Sequence, residues 1–185
     1  MKTPRTHPLA PGRRGLTMVE ILVVVAILGI LLGIGVPGFR LVKANARSSL
    51  CSNKLREIGI GLNNYFADHG MSFPELVAAR ESRNEDEPAL DTVLLDYVGD
   101  ETVFQCPADH GGFFEKTGSS YFWNSLVNGQ KTSNMNLLGM KGHPSGIPLV
   151  ADKENFHEDV GDGVNVLYAD GHVLRQIRFV VDRRR

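Results

Sequence analysis

Three sets of residues in this chain have types and spacings that could do chemistry: two cysteines, a run of carboxylates near the C-terminal end, and one glutamate set in an apolar stretch. Cys51 and Cys106 are the only cysteines in 185 residues. Cys51 falls on the apolar face of a helical pattern and Cys106 opens a turn. In an oxidising compartment the two are expected to pair, closing a loop of about 55 residues. The alternative is two buried free thiols. No Cys-x-x-Cys spacing is present, which argues against a zinc or dithiol redox site.

Asp152, Glu154, His157, Glu158, Asp159, Asp162 and Asp170, with His172 close by, make the C-terminal region acidic. Asp159-Val160-Gly161-Asp162-Gly163 has the oxygen-rich, glycine-punctuated make-up of a loop that turns ligands toward calcium. Its spacing is not that of an EF-hand. Two readings stay open: a calcium site using Asp152, Asp159 and Asp162, or a solvated loop ahead of a hairpin. Catalysis has little support. Ser119, Ser120, Ser125 and His143 lie in no nucleophile-elbow context. Gly33-x-Gly35 lies in an apolar helix, not in a phosphate loop. Tyr121-Phe122-Trp123 reads as core rather than as a stacking surface. A membrane-tethered metal-dependent enzyme using the Asp/His cluster is kept as a rival reading.

The third feature is Gly15-Leu16-Thr17-Met18-Val19-Glu20, which leads into an apolar run from Ile21 to Val36. A charged side chain at the centre of a bilayer costs roughly 2.5–3.5 kcal/mol on insertion scales. Basic residues stand only before the run (Arg13, Arg14) and after it (Arg40, Lys43), so Glu20 needs a partner from elsewhere. These residues resemble the processing site of type IV prepilins and type II secretion pseudopilins. In that family a basic leader ends in Gly, prepilin peptidase cuts after it, the new N-terminus is methylated, and the fifth mature residue is Glu. The matching positions here are Gly15, Leu16 and Glu20, with Gly29 and Pro37 at the family's Gly and Pro positions. Leu16 stands where Phe is commoner.

The resemblance implies a filament subunit rather than an enzyme. Glu20 would meet the Leu16 amine of a neighbouring subunit, and Pro37 would lie in the assembling helix. The implied partners are copies of itself and other pilin-like subunits, prepilin peptidase, an inner-membrane assembly platform and the membrane. The reading preferred is a pseudopilin of a type II secretion-like system. The alternative is a type IV pilus pilin serving adhesion, motility or DNA uptake.

Three further pieces resemble a subgroup of prepilin-type proteins. They are Cys51 to Gly59 (Cys-x-Asn-x-Leu-x-x-Ile-Gly), Cys106 to Asp109 (Cys-Pro-x-Asp) and the Ala169-Asp170-Gly171 hairpin. The subgroup has a His nine residues before the final Asp-Gly; here that position is Val160, and the nearest upstream histidine is His157. Major pseudopilins are also similar in having a calcium-stabilised C-terminal loop.

Charge and hydropathy set the expected organisation. The chain has 20 basic and 21 acidic residues; without Lys2, Arg5, Arg13 and Arg14 it has 16 basic ones, for a formal charge of about −5. That argues against a nucleic-acid partner held by a basic surface. Arg183-Arg184-Arg185 reads as a solvated end. About 24 residues from Leu16 to Phe39 are enough to span a bilayer with some tilt. The basic leader predicts a single pass with the leader inside and the C-terminal domain outside. The prepilin resemblance implies that the membrane is the inner membrane, that the outer side is the periplasm, and that the subunit then enters a periplasmic or cell-surface filament. The expected divisions are 1–15 as leader, 16–39 as transmembrane helix and 40–185 as a globular domain.

The helix is expected to continue past Pro37, which can kink it, as an amphipathic segment. Its apolar stripe is Leu41, Ala44, Ser48, Cys51, Leu55, Ile58, Leu62 and Phe66. Gly59 and Gly61 weaken it, and His69-Gly70 stops it. Residues 72–87 read as a connector, with Arg80 to Glu87 solvated. A short helix is expected over Pro88–Val98, with Pro in its first turn. Strands are expected at Ser120–Trp123, Ile147–Ala151, Val164–Tyr168 and His172–Ile177, the last two forming a hairpin. The fold class is α+β, a long helix packed on a small antiparallel sheet.

Overall fold

The computed structural model describes residues 15, 17–137, 140–141 and 143–176. Leu16, Ile177 and the terminal arginines lie outside the described residues. The chain divides into two compact units, with the boundary between Arg40 and Leu41, inside the first helix.

That helix, α1, runs Met18–Asp68. It begins at Thr17, whose hydroxyl accepts from the Glu20 N–H (3.3 Å), while the Glu20 carboxylate accepts from the Thr17 N–H (2.7 Å). This is a capping box, which satisfies donors that the first turn leaves without partners. The helical backbone continues through Pro37. It ends where Gly70 turns left-handed (φ 61°) and the Met71 N–H reaches back to the Phe66 carbonyl at 2.8 Å. That bond closes the end as a Schellman turn.

In the first unit the side chains from Met18 to Leu32 are exposed. The helix is long and apolar enough to cross a membrane, by length and composition. In the second unit Ser48, Cys51, Leu55, Ile58, Leu62 and Phe66 turn inward and are buried. Leu41, expected in the same stripe, is exposed, and Ala44 is half-buried.

The buried face of α1 packs on a four-stranded antiparallel sheet of order β1-β4-β5-β6. Its strands are β1 (Tyr121–Trp123), β4 (Pro148–Asp152), β5 (Val166–Tyr168) and β6 (Val173–Leu174). Tyr121 pairs with Asp152, Val150 with Leu167, and Val166 with Leu174. The hairpin between β5 and β6 turns at Ala169-Asp170-Gly171, where Gly171 has φ 86°. Tyr121 and Trp123 point into the core while Phe122 is exposed, so the aromatic run is mostly core. A separate two-stranded sheet, β2 (Asn136–Leu137) with β3 (Met140–Lys141), had no clear signal in the sequence.

The second helix, α2, spans Leu90–Val98 and ends at the left-handed Gly99. It starts two residues later than expected, so Pro88 precedes the cap at Ala89 instead of lying in the first turn. α2 lies against α1 at Gly61, where an added Cβ would stand 2.5 Å from Val98 Cγ1. Gly61 therefore permits a close approach, which corrects its reading as a weak point. A short helix α3 covers Phe113–Thr117.

The charged connector also departs from expectation. Arg80 is only 5% exposed, ion-paired with Asp91 and donating to the carbonyls of Arg83 (3.2 Å) and Glu85 (3.1 Å). A charge taken out of water requires such pairing, because its desolvation costs several kcal/mol. Hydropathy at Arg80 could not show this, since its charged partner Asp91 lies on α2 and the two carbonyls are brought to it by the turn of the connector itself.

Candidate functional site

Two places hold the residues singled out by the sequence. The first is the N-terminal turn of α1. The Glu20 carboxylate is held there by its own chain, accepting from the Thr17 N–H and from Thr17 Oγ1 at 2.9 Å. The Thr-x-x-Glu pattern that produces this cap was present in the sequence.

The second place lies between α1, β4 and the loop after α2. Cys51 on α1 and Cys106 are joined in a disulfide, with Cα atoms 5.1 Å apart. The Cys106 loop is held by Asp109, which accepts from the N–H groups of Phe113 (3.1 Å) and Phe114 (2.9 Å) and from Ser120 Oγ (2.7 Å). Burial pushes Asp109 up, but the bonds from Ser120, Phe114, Phe113 and Gly112 outweigh it and hold the carboxyl below its usual range. Ser120 Oγ in turn accepts from the Cys106 N–H at 3.1 Å. These bonds explain why Cys, Pro and Asp stand together at 106–109: the Asp anchors the turn that presents the cysteine.

His157 is buried against this disulfide. Its Nε2 lies 3.5 Å from Cys106 Sγ and 3.6 Å from Asp152 Oδ2. Asp152 Oδ2 accepts from the Asn165 N–H (2.6 Å) and Nδ2 (3.1 Å). Asn165 Oδ1 accepts from Ser52 Oγ (2.9 Å) and Ser48 Oγ (3.2 Å) on α1. A buried polar chain thus runs from the helix through Asn165 and Asp152 to His157 and the disulfide. Burial raises Asp152 to about 7, only partly opposed by the Asn165 bonds. Burial, and then the charge of Arg175, lowers His157 to about 4. Near neutral pH the histidine is therefore neutral, and its contact with Asp152 is not an ion pair. Asp152 Oδ1 and the Tyr121 hydroxyl are buried with no hydrogen-bond partner among the described residues.

The three carboxylates named for calcium do not gather. Asp152 is turned inward onto Asn165, while Asp159 and Asp162 are exposed. The loop closes on its own backbone: the His157 N–H donates to the Gly163 carbonyl (2.9 Å), Val160 to His157 (2.8 Å) and Gly163 to Val160 (3.1 Å). Carbonyls that a calcium loop would aim at the ion are here acceptors within the turn. Among the described residues, the one group of three or more His, Cys, Asp or Glu donors close enough to share a metal is Cys51, Cys106 and His157. Sequence reasoning did not join His157 to the cysteines, because it lies 51 residues beyond Cys106. Val160, at the subgroup's histidine position, is buried three residues further on.

The long helix and small antiparallel sheet make an α+β, pilin-like fold. Residues 11–36 match the family described as the prokaryotic N-terminal methylation motif. The chain therefore carries the type IV prepilin-like signal, directly ahead of and within an apolar helix that fits an inner-membrane anchor. No curated protein and no solved structure matches the chain.

Proposed function

We infer that this chain is a non-enzymatic filament subunit, a pseudopilin of a type II secretion-like system. The observation that carries the reading is the methylation motif at 11–36, set against a helix whose residues from Met18 to Leu32 expose an apolar surface around a single carboxylate. Prepilin peptidase cuts between Gly15 and Leu16 and leaves a methylated, still cationic amine. The subunit waits in the inner membrane with its C-terminal unit periplasmic. An assembly platform then transfers it into a helical filament. Lipid tails are as apolar as the helix, so transfer gains little from hydrophobicity, and packing and polar contacts must drive it. Glu20 supplies such a contact by exchanging the Thr17 cap for the Leu16 amine of a neighbour. Pro37 has no N–H to offer the carbonyl one turn back, which eases local bending during that transfer.

Intact mass of the membrane form tests the processing step: a mature chain starting at Leu16 and bearing one methyl is expected. Glu20→Ala is expected to insert normally yet abolish filament assembly. Glu20→Gln keeps an acceptor for the Thr17 N–H but loses the charge, so it should fail as well. Normal filament yield from both variants would remove the charge pair from the mechanism. Loss of protein export without loss of a long surface fibre distinguishes a pseudopilin from a pilus subunit.

A further inference from the structure

The cluster at the end of the buried polar chain contains more donors than a structural disulfide requires. Cys51 Sγ, Cys106 Sγ and His157 Nε2 lie within 4.8 Å of one another, and all three residues are buried. Asp152 Oδ2 is 3.6 Å from the same His157 nitrogen, and its other oxygen has no hydrogen-bond partner among the described residues. Two thiolates, an imidazole and a carboxylate form a four-coordinate donor set of the kind that holds zinc. His157 also lines an open cavity of about 380 Å³ together with Arg47, His110, Glu154, Glu158 and Asp159.

We propose that the Cys51–Cys106 pair is redox-switched: oxidised, it is a disulfide, and reduced, it binds one zinc ion with His157 and Asp152. The reductant is a dithiol. It supplies two electrons and two protons, its own sulfurs join, the Cys51–Cys106 bond breaks and each cysteine becomes a thiol. Zinc then displaces both thiol protons to water. The sulfurs separate, and the metal takes the place of the lost bond between α1 and the Cys106 loop. The ion also gives the buried Asp152 carboxylate a positive partner. Holding a metal, the domain keeps this cross-link before its cysteines are oxidised. Exchange with an external disulfide, which takes up the two electrons, and two protons from water, and leaves as a dithiol, re-forms the Cys51–Cys106 bond and releases the ion. The proposal rests on the cysteine–histidine geometry and is independent of the filament reading.

The test uses the full chain in detergent, reduced with a dithiol that is then removed without air, and titrated with cobalt(II) as a spectroscopic stand-in for zinc. One equivalent per chain should give a thiolate-to-cobalt charge-transfer band and the intense visible bands of tetrahedral cobalt, both bleached by zinc. Zinc should raise the melting temperature of the reduced chain and leave that of the oxidised chain unchanged. His157→Ala and His157→Gln should each weaken cobalt binding at least about tenfold, and Asp152→Asn should alter the visible bands. Glu158→Gln, at the cavity wall, should bind as the parent does. Circular dichroism and a titration in denaturant run alongside. Absence of the bands overturns the proposal. So do equal affinity in denaturant, affinity unchanged in both His157 variants, or a reduced chain that unfolds and is not refolded by zinc.

Discussion

Along α1, large apolar side chains from Met18 to Leu32 are 48–90% exposed, whereas the stripe from Cys51 to Phe66 is at most 6% exposed. Both stretches are helical, and both are rich in Leu and Ile. The first is held by its own hydrogen bonds and by the Thr17–Glu20 cap, and its apolar surface is left for lipid or for other chains. The second is tied to the rest of its unit by a disulfide, by Asn165 and by packing under Leu149, Val150 and Leu167. Helical periodicity therefore does not say whether a face is a folding surface or an assembly surface. The partners available to it within the chain decide that.

The largest expected effect comes from cutting the covalent tie. Replacing Cys51 and Cys106 together by Ser should cost about 4 kcal/mol in the chain-entropy picture, read as a lowered denaturation midpoint without added metal. No change in midpoint would mean that packing alone holds the second half of α1. A pair of leucines then tests the contrast directly. Leu55→Ala should cost about 3 kcal/mol, because it leaves a cavity in a close-packed core. Leu28→Ala should leave the unfolding midpoint unchanged and lower filament yield instead. Equal losses of stability from the two would erase the distinction between the halves.

The smallest effect concerns the buried pair in the oxidised, metal-free chain. Asp152 is raised to about 7 in the folded state, so its contribution to stability is full below pH ~4 and is lost as pH rises toward 7. His157 is lowered to about 4, so its contribution is present above pH ~6.5 and is lost as pH falls toward 4. Between those limits the two slopes oppose each other. Asp152→Asn should therefore make stability fall with acidification, and His157→Gln should make it rise, each by at most about 1.4 kcal/mol per pH unit. Unfolding midpoints measured from pH 4 to 7 check both signs. Parallel profiles for the two variants would show that the groups do not titrate as their surroundings require.

The sequence made several parts of this protein legible. The short apolar runs of β1, β4 and β5, the Ala169-Asp170-Gly171 turn and the stop at His69-Gly70 are local signals, carried by neighbouring residues. The same holds for the methylation motif, whose Gly15, Leu16 and Glu20 lie within six positions. The stripe from Ser48 to Phe66 was also readable from spacing, although Ser48 and Ser52 serve hydrogen bonding there and not hydrophobic burial.

Other features depended on residues distant in the chain. Arg80 looked solvated because its neighbours are charged, yet Asp91 and two loop carbonyls make its burial tolerable. Gly61 looked like a helix weakness until Val98 was placed against it. Asp152, Asp159 and Asp162 read as one set of cation ligands, but Asp152 is buried on Asn165 while Asp159 and Asp162 are exposed. Cys51, Cys106 and the Asp152–His157 stretch come from three separate parts of the chain. Local propensity and hydropathy determined which segments become helix, strand and turn. Only the packing of α1 on the sheet decided which polar groups meet out of water, because burial and donor geometry are set jointly by segments that carry no record of one another.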